Sequence, residues 1–161
     1  MRYKRIPQLI TLTFAAIAAV NCGARTIPLS SVAKEIEARG YRVQKSFAPA
    51  PTDWEISRFR LRSRVMVTFK AEQPLPNERE KYYTRFSLAE ETYDSTADAR
   101  QRLDHLHDET PNAPAEDEYN RVMRDGFVVD RKLYVLQTDA SIFLPEIERL
   151  TKTLAASRTA R

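Results

Sequence analysis

The stretch ISRFRLRSRVMVTF, residues 56–69, decides the fold. Arginines occupy every second position from Arg58 to Arg64, and Lys70 continues their parity; Phe59, Leu61, Val65, Val67 and Phe69 hold the other. Successive strand side chains point to opposite faces, so this period of two predicts a strand with one apolar and one charged face. The pattern runs from Trp54 to Ala71, well beyond the about 5 to 6 residues of an ordinary strand, and a bend or break is expected near Ser63. Strands of parallel sheets are covered on both faces and read as continuous apolar runs. One-sided alternation therefore points to an antiparallel sheet with one wet face.

Working outward, Tyr82 to Tyr93 alternates again, with Tyr82, Phe86 and Leu88 on one parity and Tyr83, Arg85 and Glu91 on the other. The DST at 94–96 caps a helix that stripes Ala99, Leu103 and Leu106 at helical spacing. A polar, proline-containing connection, DETPNAPAEDE, leads into two strands joined by a turn at Asp130 to Lys132, with a bulge expected at Gly126. Upstream, SVAKEIEARG reads as a helix from a serine cap to Gly40, followed by the strand YRVQKSF and the loop APAPTD. A last helix begins near Ser141 to Pro145 and buries Ile147, Leu150 and Leu154. The order of elements indicates an α+β fold: a mostly antiparallel sheet of five or six strands with about three helices packed on one face. Phe69 and Leu150 are expected in its core. Trp54, Phe59, Phe69, Tyr82, Phe86 and Tyr134 read as core or sheet-edge residues.

The start of the chain, MRYKRIPQLITLTFAAIAAVNC, has a basic head at Arg2, Lys4 and Arg5 and an uncharged, mostly apolar run from Leu9 to Val20. That is the build of a secretory signal, and the run is shorter than the about 20 apolar residues that a membrane span needs. Cys22, the only cysteine, closes the run. It resembles the modification site of bacterial lipoproteins, in which the thiol receives a diacylglyceryl group and the new N-terminus is acylated. The resemblance covers residues 1–22 alone. It implies a domain held on the periplasmic or surface side of the cell envelope by an N-terminal lipid. Lipoprotein signals usually carry Leu three residues before the cysteine and Gly, Ala or Ser directly before it; this chain has Ala19 and Asn21. Cleavage after Ala24 is the other reading, and it releases a soluble secreted protein. The expected organisation is a signal at 1–21, a short tether at 22–29, one domain at 30–157 and a tail at 158–161.

The formal net charge of +4 largely belongs to the signal. Residues 1–21 hold three of the 26 basic residues and none of the 22 acidic ones, which leaves about +1 for the rest. Nucleic acid is therefore not an expected partner. With one cysteine there is no internal disulfide, and stability rests on the core.

Arg58, Arg60, Arg62 and Arg64, standing about 7 Å apart at alternate strand positions, suit a row of phosphates or carboxylates. With Tyr83 and Arg85 on the wet parity of the next strand they form the candidate binding surface, for an envelope protein or an anionic envelope polymer. The competing reading is a solvent face paired with acids such as Glu91. In RLDHLHDE, residues 102–109, His105 and His107 cannot share a metal, because helical residues two apart point about 200° from each other. Asp104, His107 and Asp108 do fall on one side and form a weak candidate metal site. After Gly23 only Gly40 and Gly126 remain, so phosphate-cradling glycine loops are absent and no cofactor is expected. Three functions stay open: a non-enzymatic envelope binding or assembly protein, a hydrolase-type enzyme with a histidine-assisted site near His107 and Asp104, and an inhibitor or immunity protein against an envelope-targeted enzyme.

Overall fold

The computed structural model describes residues 29–76, 80–108 and 123–159. The signal, Cys22 and most of the tether and polar connection lie outside them. The chain runs α1 (Ser31–Glu37), β1 (Tyr41–Phe47), α2 (Asp53–Phe59), β2 (Leu61–Ala71), β3 (Arg85–Tyr93), α3 (Thr96–Asp108), β4 (Met123–Val129), β5 (Lys132–Thr138), a 3-10 turn at Ser141–Phe143, and α4 (Leu144–Thr159). The five strands form one sheet in the order β1-β2-β3-β5-β4, every neighbouring pair antiparallel. This is the α+β class that the alternation predicts.

The helices differ from the expected one-sided arrangement, being shared between the two faces. Val32, Ala33 and Ile36 of α1 and Ile147, Leu150 and Leu154 of α4 pack with Val67, Phe69, Phe86 and Leu88. On the opposite face, Phe59 of α2 and Ala99 and Leu106 of α3 pack with Leu61, Ala89, Tyr93, Leu133 and Val135. The reason is visible in β5, where Leu133, Tyr134, Val135 and Leu136 are all buried. A run that is apolar on both parities needs cover on both sides. α2 and α3 reach only part of their face, and the rest is left open.

Local chemistry places the elements. Ser30 Oγ accepts the Ala33 N–H at 3.1 Å to start α1, and Gly40 turns the chain into β1 at φ 87°. In β1 the register shifts between Val43 and Lys45, leaving Gln44 as a bulge. β2 shows a comparable shift between Leu61 and Ser63, where the long alternation predicts a break. No bulge occurs at Gly126, which sits opposite Val135 in unbroken register. It is needed for closeness instead: a Cβ there would lie 2.7 Å from the Tyr134 carbonyl oxygen and 3.3 Å from Leu103 Cδ1 on α3. Gly126→Ala is expected to lower stability by about 1 to 3 kcal/mol through overpacking. An unchanged urea midpoint would show that α3 does not lie this close over β4.

Phe59, Phe69, Phe86 and Tyr134 are buried as expected, whereas Trp54 and Tyr82 are exposed, at 51% and 40%. Trp54 lies on the short helix α2 rather than on a strand, so strand parity does not apply to it.

Candidate functional site

The four arginines of the opening stretch do not form a row. Thr52 and Glu55 make a reciprocal capping box: Thr52 Oγ1 accepts the Glu55 N–H at 3.2 Å, and Glu55 Oε2 accepts the Thr52 N–H at 2.9 Å. The box starts α2 inside what reads as a strand, and Arg60, left-handed at φ 57°, ends it. Arg58 is consequently exposed on a helix, and Arg60 is exposed at the turn. Arg62 lies on β2 and pairs bidentately with Asp94, with Nη2 to Oδ2 at 2.7 Å. That ion pair stands in solvent, where such pairs contribute little.

Arg64 goes inward. Its Nε donates to Glu91 Oε1 at 2.6 Å, and its Nη2 donates to Glu55 Oε1. The Tyr93 hydroxyl donates to Glu91 Oε2. Arg102 of α3 lies 3.9 Å from Glu55, and its guanidinium rests on the Phe59 ring at 5.0 Å. Burial would raise the Glu55 pKa, but the hydrogen bonds from Arg64 and Thr52 outweigh it and hold the carboxyl down at about 2. Burial first, and then the Glu91 charge, push the Tyr93 hydroxyl upward. Two guanidiniums and two carboxylates balance, and the cluster ties α2 and α3 to the sheet. Glu91 is thus the acid that meets an arginine of this stretch, but inside the protein rather than on a wet face.

The open part of that same face carries the remaining chemistry. In register across β1, β2 and β3 stand Arg42, Lys70 and Arg85; in the next row stand Lys45, Thr68, Ser87, Gln137 and Arg124. Six of the side chains near these two rows, Gln44, Thr68, Lys70, Arg85, Ser87 and Gln137, line an open trough of about 560 Å³ together with Asp139. The Gln44 bulge closes one side. Lys70 is directly opposite Arg85, and Thr68 is opposite Ser87. Lys70 Nζ lies 4.6 Å from the centre of the Tyr83 ring. Arg42 is held by Glu72 at 2.7 Å, but among the described residues neither Lys70 nor Arg85 forms an ion pair.

Of the expected binding residues, the structure thus brings Tyr83 and Arg85 together with Lys70 and disperses the arginines at 58, 60, 62 and 64. Thr68, Ser87, Gln44 and Gln137 were not anticipated as site residues. Thr68 and Lys70 do share the parity of Arg64, so their position was readable; Gln137 and Gln44 depend on strand order and on a bulge.

Asp104, His107 and Asp108 are exposed on α3, and among the described residues no group of three or more His, Cys, Asp or Glu side chains is placed to hold a metal ion. His105 belongs elsewhere, with its ring 5.2 Å from that of Phe59 and 5.7 Å from that of Trp54. No protein-family profile, curated protein or solved structure matches the chain. Among the described residues no helix is long and apolar enough to cross a membrane.

Proposed function

We propose that the chain is an exported lipoprotein of the bacterial envelope, held to a membrane by lipid on Cys22, whose domain works by binding rather than by catalysis. The observation that carries the binding reading is the trough, where two cations that form no ion pair among the described residues and four hydrogen-bonding side chains share one open part of a sheet face. Its partner is an anionic envelope polymer or an envelope protein presenting acidic groups. The export reading rests on the basic head, the apolar run and Cys22.

Expression of the full chain in a bacterium fed a labelled fatty acid tests the anchor. The expected result is label on the protein, an intact mass starting at a diacylated Cys22, and loss of label in Cys22→Ala. A chain beginning unmodified near Arg25 would replace the anchored protein by a secreted one.

A further inference from the structure

We infer that the trough is a site for a phosphate monoester carried on a sugar or other polyol, with Lys70 and Arg85 as its phosphate-binding pair. This deepens the binding reading above and rests on it. Like charges placed directly opposite each other across two strands repel, and sheets ordinarily pair such positions with opposite charge. Here Lys70 and Arg85 face each other, and among the described residues neither forms an ion pair. A monoester carries about −1.5 to −2 charge at neutral pH and three terminal oxygens, so it matches two adjacent cations in charge and in donor number. A planar carboxylate offers one charge and two oxygens, and leaves one cation unanswered.

The rest of the lining fits the carrier rather than the phosphate. Thr68 and Ser87 place hydroxyls in the row beside the cation pair, and Gln44 and Gln137 flank them with amides. Each of these side chains both donates and accepts, as recognition of sugar hydroxyls requires. Asp139 lines the trough as well, following Thr138, whose hydroxyl donates to the Arg85 carbonyl at 3.1 Å; when ionised it can only accept, which suits a sugar hydroxyl. At about 560 Å³ the trough falls among small-molecule sites, which span about 300 to 1,000 Å³, and exceeds what one inorganic anion fills.

The test uses the exported protein as the cell makes it, titrated by calorimetry with glucose 6-phosphate, glucuronic acid and inorganic phosphate, with Tm followed in parallel. Glucose 6-phosphate is expected to bind and to raise Tm by mass action, more strongly than inorganic phosphate and far more strongly than glucuronic acid. Lys70→Gln and Arg85→Gln should each weaken binding by about tenfold or more. Without ligand their Tm should be unchanged or higher, because removing one of two opposed cations relieves repulsion. A fall in Tm without ligand would show a structural role and overturn the assignment. So would glucose 6-phosphate binding that both variants retain. Glucuronic acid binding that Lys70→Gln abolishes, with no response to glucose 6-phosphate, would overturn the phosphate inference and leave the binding reading standing; no response to any probe would count against both. Displacement of glucose 6-phosphate by micelles of a phosphorylated glucosamine lipid, but not of its unphosphorylated form, identifies an envelope glycan as the natural source. Absence of displacement identifies a soluble ester.

Discussion

Replacing Arg64 by alanine is expected to destabilise the protein by about 3 to 5 kcal/mol at neutral pH, the cost of removing one partner from a buried ion pair. Arg64 is the guanidinium that hydrogen-bonds both Glu55 and Glu91, which are only 7% and 4% exposed. Without it Glu55 retains Arg102 at 3.9 Å, and two carboxylates share one cation that is also packed on Phe59. Urea unfolding at pH 7 reads the effect, and a loss below about 1 kcal/mol would mean that the cluster is wet. Acid gives a second check. The folded pKa of Glu55 lies near 2, below its ordinary value of 4.5, so its stabilisation is fully present above about pH 4.5 and is lost as pH falls toward 2. The gap between the wild type and Arg64→Ala should therefore narrow over that interval. A gap independent of pH would remove Glu55 from the explanation.

Phe69→Ala is expected to cost about 3 to 5 kcal/mol, the range for deleting a buried aromatic side chain. Phe69 is 1% exposed, stacks on Phe86 with centroids 5.3 Å apart, and lies in the core that α1 and α4 cover. The neighbouring Lys70 points to the other face, into the trough. A one-residue slip of register would exchange the two, so the measurement also tests the placement of the trough. A loss below about 0.5 kcal/mol, as at a surface position, would put Phe69 on the open face and dissolve the proposed site. Leu150→Ala on α4, fully buried on the same side, should cost about 2 to 5 kcal/mol and reports on the helix without touching the strand.

Much of the fold was legible because its signals are local. Ser30 and Gly40 bound α1 and its turn, YRVQKSF is β1 residue for residue, and Ser95 caps α3 by accepting the Asp98 N–H at 3.1 Å. α2 was missed because Phe59 and the arginines keep strand parity through a single helical segment. Its signal was nevertheless present in Thr52-Asp53-Trp54-Glu55, a capping-box pattern that the alternation masks. The candidate site was less legible. Parity placed Lys70 and Arg85 on the wet side, but which cations meet, and which are neutralised, depends on pairing between strands distant in sequence. Glu55 and Glu91 reach Arg64 from α2 and β3, and they remove it from solvent by long-range geometry that no single segment encodes.

The bulge at Gln44 has a consequence beyond shaping the trough. β1 is an edge strand, and an edge offers unpaired backbone groups to any other extended chain. There the ladder is interrupted at Gln44, and Arg42 and Lys45 stand on either side of the interruption. A second copy approaching edge to edge meets a broken register and cations opposing its own. Where copies are crowded together, that interruption opposes their joining strand to strand into a polymer.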